Sequence, residues 1–289
     1  MNKQTKVWLV LSIALSLLAL GSACGGDKSP DTNMTAGDAA ATPYSGPTGT
    51  VNGVISFNGT PPAPKKIDTT ADPVCGQKNP NLMTDDTIVN DGKLSNVFVY
   101  IKEGTVEGGK KVVDYAWATP TVAARLDQNG CHYDPHVMGV QVNQTISITN
   151  SDPTQHNVHP TPKFNQEWNQ TQSAGQGPIE KSFGRAEVLI PVKCNQHPWM
   201  KAYIGVLRHP LFSVSGEDGA FEIKGVPAGT YTVAAWREGG ATGTEQTMQV
   251  TVPADGSTKA DFAFGTATTS TSPSLQMMPA VEFPMVGRR

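Results

Sequence analysis

Along most of this chain, apolar residues recur in short alternating runs, each ended by Gly, Pro, Asn or Asp. Thr50 to Phe57 (TVNGVISF) is the first such run and Asn96 to Lys102 (NVFVYIK) the second. Thr121 to Leu126, Met138 to Val142, Thr145 to Thr149, Ala186 to Val192 and Ala202 to Leu207 continue the series. Leu211 to Val214, Ala220 to Ile223, Thr230 to Trp236, Met248 to Val252 and Ala260 to Phe264 complete it. Runs of this length and period describe strands, and no long stretch shows the apolar spacing of an amphipathic helix. With 29 Gly and 22 Pro among 289 residues, turns are plentiful, and there is length enough for one or two cores. An all-β fold built from sandwiches is expected.

Both ends of the chain stand apart from this pattern. Lys3 and Lys6 precede an apolar run from Val7 to Leu20, shorter than the about 20 residues of a membrane span, and small residues then lead to Cys24. That is an export leader, so residues 1–23 are expected to be removed. The stretch GSACGG resembles a bacterial lipobox with Cys24 as the lipidated residue, although Gly21 stands where that pattern prefers Leu. Simple cleavage after Ala23 is the alternative. Residues 24–48 are too poor in large apolar groups to fold and read as a tether, and 266–289, opening with TATTSTSP, read as a disordered tail. A net charge of −3 gives no basic footprint for nucleic acid.

Two loops concentrate metal-seeking side chains. NSDPTQHNVHP carries His156 and His159 after a strand, and CNQHPWM places Cys194, His197 and Met200 at intervals of three between two strands. A turn lets such a triplet converge, whereas a strand sends alternate residues to opposite faces. Two imidazoles, a thiolate and a thioether form the donor set of a mononuclear type 1 copper site, with Met as weak axial ligand. A structural zinc site would also take Cys and His, but Met is a poor zinc ligand and no paired-Cys knuckle is present. A binuclear copper centre would need a second Cys in the loop, and a multicopper oxidase several His-x-His pairs. Neither is found. His159 is the substitute for His156 should the loop register differ.

CNQHPWM resembles the ligand loop of amicyanin, and VNQTISITNSDPTQHNVHP resembles the strand and loop that carry the first ligand in cupredoxins. The resemblance implies a Greek-key cupredoxin sandwich binding one type 1 copper through His156, Cys194, His197 and Met200. It also implies that Asn157 ties the two loops together near Asn195, and that His197, beside Pro198 and Trp199, faces solvent as an electron port. Packing of the loop is the other reading of Trp199.

Of the four cysteines, Cys75 and Cys131 remain once Cys24 is lipidated and Cys194 holds metal. In an oxidising compartment they are expected to pair, with two separate buried thiols as the alternative. His132 and His136 flank Cys131 and read as structural. His209, Met277, Met278 and Met285 have no informative spacing.

VSGEDGAFEIKGVPAGTYTVAAWRE is similar to the carboxypeptidase regulatory-like domain, a small transthyretin-like, carbohydrate-binding-like sandwich, and GVISFNGTPP and NVFVYIKEG resemble its opening strands. The implied layout has opening strands in 49–112, the cupredoxin domain at 113–210 inserted in or packed beside them, and the remaining strands in 211–265. Phe221, Tyr231 and Trp236 could stack on sugar, but their alternation favours core positions. No catalytic motif of the HExxH or GxSxG kind is present, so no enzyme is expected. The function implied is single-electron transfer between redox proteins, in the periplasm or at the outer membrane surface, with a lipid anchor at Cys24. A carbohydrate- or protein-binding surface lipoprotein and a copper storage or delivery protein are the alternatives.

Overall fold

A computed structural model describes residues 42–239 and 243–265. The segments read from sequence as export leader, most of the tether and the tail from 266, with Cys24 and the three Met residues of that tail, lie outside them. The described chain opens with β1 (Thr48–Asn58), α1 (Pro73–Lys78), β2 (Val89–Asn90), β3 (Lys93–Leu94) and β4 (Phe98–Val106). The middle runs through β5 (Ala124–Gln128), β6 (Tyr133–Asp134), β7 (Val137–Gln141), β8 (Ile146–Asn150) and β9 (His156–Pro160). It continues with β10 (Gln170–Gln172), β11 (Ile179–Lys181), β12 (Glu187–Lys193) and β13 (Lys201–Leu207). The last part holds β14 (Phe212–Val214), β15 (Ala220–Pro227), β16 (Gly229–Arg237), β17 (Thr244–Val252), β18 (Ser257–Lys259) and β19 (Phe262–Gly265).

The fold is all-β and consists of two sandwiches, one interrupting the other. In the outer sandwich one sheet has the order β15-β1-β3-β2, with β18 and β19 also paired to β1, and the other has the order β14-β4-β16-β17. β4 and β16 are antiparallel neighbours although the whole middle sandwich separates them in sequence. That middle sandwich packs a β10-β9-β12-β13-β7 sheet on a β11-β8-β5-β6 sheet. Strand β1 follows the expected alternation, burying Val51, Ile55 and Phe57 while Asn52, Val54 and Ser56 stay partly exposed.

Strands β4 and β16 do not alternate, because both of their faces are covered. Val99, Ile101, Val233 and Ala235 enter the outer core. Phe98, Tyr100, Ala234 and Trp236 point the other way and pack with Val137, Leu189 and Leu207 of the middle sandwich. Continuous apolar runs are what a doubly covered sheet requires. Phe221, Tyr231 and Trp236 are 5%, 0% and 8% exposed, so these aromatics pack cores and offer no stacking face.

Two glycines set the depth of this docking. Gly139 and Gly205 are register partners on β7 and β13. A Cβ at Gly205 would lie 2.4 Å from the Phe98 ring, and one at Gly139 would lie 2.3 Å from the Phe212 ring. The two rings stack with centroids 5.6 Å apart, seated against backbone that only glycine leaves open.

An ionic clasp closes the same junction. Glu238, just after β16, sits 2.7 Å from His136 Nε2, and it accepts from Tyr203 Oη at 2.9 Å and from Lys201 Nζ at 2.7 Å. Asp85 lies 3.3 Å from His136 Nδ1 and 3.2 Å from His132 Nδ1. Burial opposes the His136 charge, but hydrogen bonds and attraction from Asp85 and Glu238 outweigh it and raise its pKa to about 9.

The layout departs from the sequence reading at its seams. Cys75 and Leu82 lie in the core of the middle sandwich with Ile67 against them, although this stretch belongs by position to the outer sandwich's opening strands. Tyr115 and Trp117 pack against the outer core, so the first strand of the middle sandwich starts only at Ala124.

Phe98→Ala should cost about 3–5 kcal/mol through the cavity it leaves. Gly205→Val should cost about 1–3 kcal/mol or more by overpacking the seat of that ring. Urea midpoints measured at unchanged slope would check both. The clasp has its own signature. His136 has a raised folded pKa, so its contribution is fully present below an unfolded pKa of about 6.5 and is lost as pH rises through about 9. The gap in urea midpoint between wild type and His136→Gln should therefore close across that interval.

Candidate metal centre

Strand pairing brings the two ligand loops together. β12 runs antiparallel to β9, with Lys193 opposite His159, so Cys194 emerges beside the start of the strand that His156 opens. His156 thus begins β9 and does not sit in the preceding loop. The turn between β12 and β13 is closed by Met200 N–H donating to His197 O at 2.9 Å and Cys194 N–H to Met200 O at 3.3 Å. This folds the triplet back on itself.

Three of the expected ligands converge in the dry interior. His156 Nδ1 lies 2.9 Å from His197 Nδ1, and Cys194 Sγ lies 3.7 Å from His197 Nδ1. His156, Cys194 and His197 are 0%, 2% and 3% exposed. Met200 is fully buried in the same core as Cys194. One donor atom from each of the first three falls within 4.8 Å of the others.

The far side of each imidazole meets a carboxylate. His156 Nε2 is 3.0 Å from Asp152 Oδ2, and His197 Nε2 is 3.0 Å from Asp72 Oδ2. An ionised carboxylate only accepts, so each Nε2 is the donor and each Nδ1 is turned into the cluster, that of His156 toward His197 and that of His197 toward both His156 and Cys194. Burial opposes the charge of His156, but hydrogen bonds and attraction from Asp152 and Cys194 outweigh it and raise its pKa to about 9. For Cys194, burial disfavours the thiolate, but hydrogen bonds from His156, His197 and the Asn157 N–H bring it down to about 6. A metal would meet a site whose surroundings already favour the thiolate of Cys194.

The surroundings correct three expectations. Asn157 reaches the centre through its backbone, donating N–H to Cys194 Sγ at 3.3 Å, while its side chain donates to Asn169 and Thr171. The link to Asn195 comes from His159, whose Nδ1 is 3.0 Å from Asn195 Oδ1 and whose Nε2 is 2.6 Å from Glu167. His159 is occupied there, one residue face away from the ligands. His197 is not at the surface, because Asp72, the N-cap of α1, covers its outer edge. Trp199 is the partly exposed ring in contact with it, centroids 5.1 Å apart, and is tied down by its Nε1–H donating to Cys131 O at 3.1 Å.

Cys75 and Cys131 form the disulfide, and Cys194 is the free cysteine among the described residues. Cys75 Sγ lies 3.8 Å from His197 Nε2. Two further groupings, Asp72 with Cys75 and His197, and Cys131 with Asp152 and His156, rest on these disulfide sulfurs, which have no thiolate to offer. The donors that fit a soft metal are His156, Cys194, His197 and the adjacent Met200. Asp72 and Asp152 were not singled out in the sequence. Their local signals were a helix-capping Asp-Pro pair and an Asp four places before His156.

Residues 212–260 match the family model described as polysaccharide lyase family 4, domain II. No curated protein matches the chain. Among solved structures, it is similar to a Cu-containing nitrite reductase from Thermus scotoductus SA-01, at 19% identity over 31% of this chain and 23% of that one, TM-score 0.28. It is also similar to a reduced amicyanin variant, at 20% identity over 30% of this chain and 84% of that one, TM-score 0.27. A purple cupredoxin from Nitrosopumilus maritimus is similar at 19% identity over 29% of this chain and 98% of that one, TM-score 0.25.

Proposed function

We infer that this chain is an exported type 1 copper protein that carries single electrons between redox proteins and catalyses no reaction of its own. The observation that supports the reading is the meeting of His156 Nδ1, His197 Nδ1 and Cys194 Sγ in one buried cluster beside Met200. A structural fold has no use for a free thiolate and two inward imidazoles at that place. Bound copper would supply a one-electron couple between Cu(I) and Cu(II). The chain's own part is to exclude water, hold His156, His197 and Cys194 in fixed positions, and keep Met200 as the weak fourth donor. A rigid donor set keeps reorganisation small.

With His197 covered, the exit for the electron is Trp199, the partly exposed ring in contact with it. The export leader supports a periplasmic or outer-membrane location, with Cys24 as lipid anchor. The sugar-binding alternative is weakened because Phe221, Tyr231 and Trp236 are buried.

Reconstitution with Cu(II) should give intense visible absorption from thiolate-to-copper charge transfer. Cys194→Ser should abolish it and His159→Ala should leave it in place. A colourless wild type would end the electron-carrier reading, whereas a coloured protein without a reversible one-electron wave would be a storage or delivery protein. Met200→Leu should keep the colour and raise the reduction potential, as loss of a weak axial thioether donor does.

A further inference from the structure

The ring edges of His156 and His197 that face away from Cys194 are held by two carboxylates on different parts of the fold. Asp152 is fully buried, and its oxygens also accept from Gly130 N–H at 2.7 Å and Cys131 N–H at 2.8 Å. Lys78 Nζ stands 3.6 Å from its Oδ1. Asp72 accepts from Val74 N–H at 2.9 Å and from Thr154 Oγ1 at 2.9 Å. Each carboxylate is thus fixed by donors other than the imidazole, so the imidazole conforms to the carboxylate. Cys75, three residues after Asp72, is bonded to Cys131, whose N–H holds Asp152. The disulfide therefore sets the two supports relative to one another across a sequence separation of 56.

We propose that Asp72 and Asp152 are paired positioning residues, which lock His197 and His156 as Nε2–H tautomers with both Nδ1 lone pairs turned into the cluster they form with Cys194 and which lower the reduction potential of the bound copper. This rests on the copper reading for its second half only. A negative charge behind an imidazole makes the ring a stronger donor, and a stronger donor favours the more highly charged Cu(II) over Cu(I). In a dry site the effect is weakly screened. Two carboxylates on two rings act separately, so their effects should add.

The test uses the full chain with Asp72→Asn, Asp152→Asn and the double variant, and Asp127→Asn as a carboxylate control outside the centre. Imidazole nitrogen NMR of the metal-free protein at alkaline pH reads the tautomer without copper. Wild type should show Nε2–H on both rings, and each single variant should disturb its own ring alone. In the copper-loaded proteins, each Asn variant should lose about 10- to 100-fold in Cu(II) affinity. Its potential should rise by about 59 mV for each tenfold loss not matched by Cu(I). The double variant should show the sum, and Asp127→Asn should show neither effect.

Nδ1–H on either ring in wild type would overturn the proposal, as would single variants with unchanged potentials. Should Asp152→Asn fail to fold, Asp72→Asn alone carries the potential measurement. A wild type that takes up no copper would defeat the functional reading and the potential half together, while the metal-free spectra would still decide the tautomer half.

Discussion

Two imidazoles and a thiol removed from water cannot leave their polar edges unpaired without large cost, and much of the middle sandwich is arranged around that requirement. Each ring nitrogen facing away from Cys194 has a carboxylate, and each carboxylate has its own backbone donors. The sulfur receives the Asn157 N–H. Helix α1 presents Asp72 at its N-cap and Cys75 one turn later. The outer edge of His197 is thereby enclosed.

The second constraint is the sheet shared by both cores. β4 and β16 bury opposite faces against different partners, and the Phe98 and Phe212 rings lie on a floor of paired glycines. The strand β13 that leaves the turn holding Cys194 and His197 also carries Gly205. The strand that positions Met200 and the strand that receives the neighbouring sandwich are therefore the same piece of backbone. Disturbance at the junction has a direct mechanical route to the ligand turn.

Much of this was readable beforehand where the physics is local. The alternation in TVNGVISF marks a strand with one wet face, and Cys194, His197 and Met200 at intervals of three mark a turn that gathers donors. Long-range partnership left a weaker trace. The unbroken apolar runs around Phe98 and Ala234 indicate burial on both faces, yet nothing in them names the covering sheet. Asp72 lies in a stretch without period, more than eighty residues before His156, and its role depends on a disulfide that brings α1 across the sandwich. Asn157 shows the reverse case: the sequence points to its side chain, whereas its contact with Cys194 uses the backbone N–H, which every non-proline residue possesses.

Interruption of one sandwich by another suggests modules that could be separated. The shared sheet says otherwise. Remove the middle sandwich and Phe98, Tyr100, Ala234 and Trp236 become a bare hydrophobic slab on the remaining half, while Gly139 and Gly205 become an open trough on the excised one. Over the described residues each sandwich supplies apolar cover that the other would otherwise lack.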